Sequence, residues 1–156
     1  MIFVEKTAAL NPIWQTERQL RQKLRESNAL SARFGLSLDE QSIAALSQAR
    51  AETLAETGRV EFGVSVLPDM VEAFCDSPYL MQDEYEATLA GLMEAFYTYK
   101  NETRDQIADD ELLGRMRACF DAYEGSMDAV TGMSLEALFG KGSADDRLVG
   151  ETDGDE

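Results

Sequence analysis

Tyr85, Leu89, Leu92, Phe96 and Tyr99 recur at i, i+4, i+7, i+11 and i+14. That spacing belongs to a helix with one buried face and is incompatible with the two-residue alternation of a strand. It predicts a helix over about 82–101. Asp83, Glu84 and Glu86 fall in its first turn, where the helix dipole favours carboxylates.

Start and stop signals divide the rest of the chain in the same way. Asn11-Pro12 reads as a helix start, and "IWQTERQLRQKLRESNALSARF" as a long helix ending at Gly35. Its apolar positions, Ile13, Leu20, Leu24, Leu30 and Phe34, are loosely spaced. "SLDE" at 37–40 reads as a capping box, with Ser37 at the N-cap and Glu40 at N3. The helix it opens runs to about Thr57, and Gly58 is the expected left-handed stop. Ile43, Leu46 and Leu54 give it a narrow stripe, widened by Ala44, Ala45 and Ala51.

In "RVEFGVSV", Val60, Phe62, Val64 and Val66 alternate with Glu61, Gly63 and Ser65, which predicts an extended segment over about 60–66. Its obvious pairing partner is "IFV" at 2–4. A two-stranded ribbon is marginal by itself, so the segment is expected to press onto helices. Leu67-Pro68 opens a short helix, 68–75, carrying Met70, Val71 and Phe74, and "DSP" breaks it. Asp109 reads as the cap of a helix over 110–124, with Leu112, Leu113, Met116, Phe120 and Tyr123 inward. Ser126 and Ser134 each cap a short helix, closed by Gly132 and Gly140.

The expected fold is therefore all-α: a compact bundle of five or six helices with one short extended segment. A single helical domain is expected over 1–139, split into a basic leader helix (1–35) and an acidic body (36–139). "GKGSADDRLVGETDGDE" at 140–156 reads as a disordered acidic tail. A chain of 156 residues buries enough surface to need no disulfide or metal staple.

The charge narrows function. Thirty acidic residues against 14 basic ones give a net charge of −16. Residues 1–34 hold six positive and three negative side chains, and residues 35–139 six positive and 21 negative. Such a body cannot grip nucleic acid through phosphates, because it has too little cationic surface to release counterions. It is equally unsuited to an anionic membrane. No apolar run approaches a membrane span, and "MIFVEKTAAL" is too short for a signal-peptide core, so a cytoplasmic protein is expected.

The most informative count is zero histidines. No Ser-His-Asp or Cys-His pair, HExxH zinc site or His-ligated iron site is possible within the chain. There is no GxGxxG and no GxxxxGK[ST] loop. Cys75 and Cys119 form no CxxC motif, and free thiols in a reducing compartment are expected. No catalytic residue, metal or cofactor is assigned.

Cys75 sits in "VEAFCDSPYL" at an expected helix C-terminus beside Asp76, where dipole and charge both disfavour a thiolate. It reads as a small buried hydrophobe at a joint rather than a nucleophile. The "DDE" at 109–111 and the acids at 83–86 read as first-turn carboxylates, not metal ligands. Glu52 and Glu56 lack the histidines of a di-metal bundle. Tyr97, Lys100 and Asn101 in "FYTYKNE" can be core-helix residues, or can line a small-ligand pocket with Arg59, Glu61, Cys75, Asp76 and Tyr79. Arg18, Arg21 and Arg25 share a helix face. Three readings stand for it: docking on the acidic body, contact with an acidic partner, or an ordinary solvated face.

"ETGRVEFG" (56–63), "FCDSPYL" (74–80), "FYTYKNE" (96–102), "DDEL" (109–112) and "GSMDAVTGMSLEAL" (125–138) together resemble an uncharacterised bacterial family, a domain of unknown function. The resemblance spans roughly residues 30–139. It implies a small cytoplasmic protein working alongside another protein, and it supplies no activity, cofactor or catalytic residue. The leading expectation is a non-catalytic accessory or interaction protein that binds another protein through its acidic body or its basic first helix. The alternative is a small-molecule-binding or enzymatic domain with a pocket between 58–66, 75–79 and 96–102.

Overall fold

Backbone stops set the helix lengths. In the computed structural model, the structure describes residues 12–61 and 65–140, with side chains from Glu17 onward. Helix α1 (Pro12–Ser31) tightens into a 3-10 turn (Ala32–Phe34) and ends at Gly35, whose φ of 81° is left-handed. Leu20 and Leu24 are buried, while Phe34 is 47% exposed. The tighter final turn takes Phe34 off the α-helical face, and Leu36 is buried instead.

Helix α2 (Glu40–Thr57) starts two residues later than the capping box suggests. Asp39, not Ser37, is its N-cap, accepting a hydrogen bond from Ser42 N–H at 2.8 Å. The reason lies in Leu38, which is buried. Its N–H and carbonyl are both taken by the Asn28 amide at 2.8 Å, so the chain stays extended through it. Ser37 is bracketed instead by the Gln82 side chain. Ala44, Ala45 and Ala51 do not widen the stripe; they are exposed. Ser47, Arg50 and Thr53 complete the buried face.

After Gly58 (φ 68°), residues 59–61 and 65–66 form no ladder, and no strand occurs among the described residues. Phe62, Gly63 and Val64, the "IFV" at 2–4 and the expected acidic tail beyond Gly140 lie outside the described residues. Helix α3 (Leu67–Phe74) buries Leu67, Met70, Val71 and Phe74.

A 3-10 turn (Gln82–Glu84) leads into α4 (Tyr85–Glu102), and all five stripe residues are buried. Helix α5 (Asp109–Ala122) has Ala108 at its N-cap and no side-chain cap; Asp109 is its first residue rather than its cap. Tyr123 is 63% exposed instead of inward. The helix has already ended at Ala122, and Glu124 (φ 56°) and Gly125 (φ 84°) reverse the chain there. Ser126 and Ser134 cap α6 (Met127–Thr131) and α7 (Leu135–Phe139), accepting from Ala129 and Ala137 N–H.

Among the described residues there are thus seven α-helices, five of them of eight residues or more. Helix α4 is the centre: α2, α3 and α6 pack on it, while α1 covers α2 and α3. Helix α5 packs against α3, α6 and α7. One apolar cluster runs from Leu20 and Leu24 to Val130 and Leu138.

Candidate functional site

The C-terminal half of α4 carries most of the polar candidates. Asn101 accepts from Arg59 Nη1 at 2.8 Å and donates to the Thr57 carbonyl at 2.9 Å, so it ties the end of α2 to α4. Arg59 also grips Asp105, at 2.6 and 3.2 Å. That guanidinium holds the Asp105 carboxyl below its ordinary value. Arg104 and Asp105 are consecutive left-handed residues, with φ of 56° and 57°, an uncommon conformation without glycine. Lys100 is buried and completes the chain of charges. Its Nζ donates to the Ile107 carbonyl at 2.7 Å, meets Asp109 at 2.7 Å and stands 4.0 Å from Asp105. These bonds close the 103–108 loop onto the helix.

Glu61 belongs to a second group. It accepts from Arg50 Nε at 2.7 Å and from Tyr97 Oη at 2.5 Å. Arg50 is almost fully buried and Glu61 largely so. Burial, then the Glu61 carboxylate, pushes the Tyr97 phenol well above its ordinary range, so it remains a donor.

Asp76 belongs to a third centre, Arg117, on the turn that also carries Cys75 and Tyr79. Its Nη1 donates to Asp76 at 2.6 Å and to the Ala73 carbonyl at 2.7 Å, and its Nε to Asp121 at 2.7 Å. Asp121 also accepts from the Ser77 hydroxyl at 2.7 Å, which in turn accepts from Tyr79 N–H. The turn is thereby clamped to α5. Burial first, and Asp76 second, push the Cys75 thiol up; burial does the same to Cys119. Neither environment stabilises a thiolate.

The structure thus brings Arg59, Lys100 and Asn101 together, joins Glu61 to Tyr97, and pairs Asp76 with Arg117 on the turn that holds Cys75 and Tyr79. The polar contacts of Arg59, Glu61, Asp76 and Lys100 run to three different centres. Arg25 clasps Glu40 of α2 at 2.8 and 3.0 Å, while Arg18 and Arg21 lie exposed on the same face with Gln19 and Gln22.

Sequence reasoning missed Arg50, Asp105 and Arg117, and the bonds made by the Tyr99 hydroxyl. The Tyr99 hydroxyl donates to the Val130 carbonyl at 2.5 Å and accepts from Met133 N–H at 3.0 Å. Only the Arg117–Asp121 pair had a local signal, its i, i+4 spacing. The others join segments far apart in sequence.

Among the described residues no group of three or more Cys, Asp or Glu side chains is placed to hold a metal ion. No helix there is long and apolar enough to cross a membrane.

These features define a small helical protein whose buried polar side chains mostly fasten one element to another. The chain belongs to DUF6323, a family of unknown function, which matches residues 23–145. No curated relative and no solved structure matches it.

Proposed function

We propose that the protein is a non-catalytic accessory domain that binds a basic partner protein through its acidic body. One observation carries this reading. Five of the six cations in residues 35–139 are held by the body's own carboxylates: Arg50 by Glu61, Arg59 by Asp105, Lys100 by Asp109, Arg115 by Glu111, and Arg117 by Asp76 and Asp121. The body has 21 acidic residues, so most of its exposed carboxylates meet water. A surface of one sign steers oppositely charged partners and repels others. A nucleic acid or an anionic membrane carries the same sign and is disfavoured. The setting we propose is cytoplasmic, where Cys75 and Cys119, free in the structure, stay reduced.

The test is affinity capture of the tagged chain from native lysate at low and high salt, followed by mass spectrometry. The expected result is one stoichiometric basic protein whose capture falls at high salt. A stoichiometric partner held equally well at both salts, or none at either, overturns the reading.

A further inference from the structure

We propose that the groove along the outer face of α5 docks a basic amphipathic helix of the partner. This rests on the acidic-body reading and adds a place and a shape to it.

The groove has a cavity volume of about 860 Å³. Gly114, Ala118 and Cys119 of α5 form one wall, and Ala129, Gly132 and Met133 the other. Tyr123, 63% exposed, stands at one end. The lining is mostly small and apolar, with Glu111, Arg115, Asp128 and Ser134 as its polar members, which suits a helix about 10–12 Å across lying close.

Gly114 sharpens the case. It sits inside α5, where glycine weakens a helix relative to alanine. The fold does not call for it: its φ is not left-handed, and a Cβ there would meet nothing within 4 Å. Gly91, the other glycine inside a described helix, would bring its Cβ 3.0 Å from Met127 Cε. The space that Gly114 leaves open faces outward.

Charge specifies the occupant. Glu111 and Asp128 line the groove. On the other side of Gly114, a cleft of about 630 Å³ is lined by Asp69, Glu72 and Asp110. The cations on this face are committed, Arg115 to Glu111 and Arg117 to Asp76 and Asp121. Asp69, Glu72, Asp110 and Asp128 are exposed and make no ion pair among the described residues. A helix seated on Gly114 and Ala118 therefore has carboxylates along both flanks. It matches lysines or arginines there and rejects acids.

The probe is a synthetic peptide of about five helical turns, made of Lys, Leu and Ala with Leu in one stripe. Its controls are a scrambled peptide of the same composition and one with Glu replacing Lys. Binding to the full chain is read by fluorescence anisotropy at low salt and at about 0.5 M salt. The amphipathic basic peptide is expected to bind at least about tenfold more tightly than either control. Gly114→Leu fills the groove and is expected to weaken binding at least about tenfold, with the urea midpoint unchanged or higher. Asp110→Asn with Asp128→Asn leaves the helix intact and is expected to weaken binding a few fold and flatten its salt dependence. Wild-type binding by folded Gly114→Leu, or equal binding of the scrambled peptide, overturns the groove and leaves the acidic-body reading standing. Undiminished binding by the double Asn variant overturns the charge assignment. No binding of either basic peptide at low salt overturns both readings.

Discussion

Along the first half of α4, Leu89, Leu92 and Met93 sit in the apolar core, and the buried Tyr85 hydroxyl has no partner in hydrogen-bond geometry among the described residues. Along the second half, Tyr97, Tyr99 and Lys100 are as deeply placed, but each carries a polar atom to a different segment: Glu61, the Val130 carbonyl and the Ile107–Asp109 turn. One helix is thus held by packing at one end and by directed bonds at the other. Apolar packing tolerates exchange of shape-matched residues, whereas directed bonds fix which segments meet and leave costly orphans when one partner is lost.

The largest expected effect is at the bonded end. Arg50→Met removes a buried cation and leaves Glu61, itself largely buried, with Tyr97 as its remaining side-chain partner. Breaking such a pair costs about 3–5 kcal/mol, read as a fall in the urea midpoint. Adding Glu61→Gln is expected to recover part of that loss, because no buried charge is then left unpaired. A cost below about 1 kcal/mol for Arg50→Met would erase the contrast between the two ends. At the packed end, Leu89→Ala is expected to cost about 2–5 kcal/mol by cavity formation. It leaves no orphaned polar group, so Leu89→Met is expected to restore most of the loss.

The stripe that defines α4 was fully legible, because a period of 3.6 residues survives any detail of the surroundings. The partners of its polar members were not. Arg50 occupies a buried position that sequence rules reserve for apolar residues, and only the return of Glu61 makes it tolerable. Asp105 reaches both Arg59 and Lys100 from a left-handed backbone, which no residue pattern announces. Tyr123 reads as inward because its spacing continues a stripe, yet α5 has already ended when the chain reaches it. Of the candidate site residues, the groupings of Arg59 with Asn101 and of Glu61 with Tyr97 followed sequence segments already singled out. The Arg117 clamp on Asp76 did not, because Arg117 lies in none of those segments.

Tyr99→Phe sharpens the comparison at intermediate size. It removes the donor to the Val130 carbonyl and the acceptor for Met133 N–H. A loss of about 1–3 kcal/mol is expected, with faster amide exchange concentrated around α6. Uniform exchange across the chain would instead mean that the hydroxyl does not fasten that segment.

Acid tests the surface part of the bonded end. Arg59 lowers the Asp105 pKa from its ordinary 3.8, chiefly through their hydrogen bond, and Arg117 does the same for Asp76. The folded state thus binds these protons less readily than the unfolded chain. The stabilisation is present above about pH 4 and disappears as pH falls through the lowered values. Both carboxylates are more than half exposed, so each pair is expected to contribute only about 0–1 kcal/mol. Arg59→Met is expected to flatten the acid limb of the urea-midpoint profile below pH 4 and to leave the neutral-to-alkaline limb unchanged.

The smallest effect, and one of opposite sign, is expected from Tyr85→Phe. The Tyr85 hydroxyl is buried with no partner in hydrogen-bond geometry among the described residues; it lies beside the Ser31 hydroxyl, which donates to the Leu36 carbonyl. Removing an unsatisfied buried hydroxyl is expected to keep or raise stability at neutral pH, by no more than about 1 kcal/mol. Alkaline titration isolates its contribution. Burial pushes the Tyr85 phenol from 10.0 up to about 12, so the fold holds it neutral while the unfolded chain ionises. Stability from this residue is complete below about pH 10 and is lost as pH rises toward about 12. In Tyr85→Phe that loss is absent, while the one due to Tyr97, also pushed up, remains. The slope of the urea midpoint between about pH 10 and 12 is therefore expected to be shallower in Tyr85→Phe than in the wild type. An unchanged slope, or destabilisation at neutral pH, would show that the hydroxyl is satisfied in solution and that the two ends of α4 are held alike.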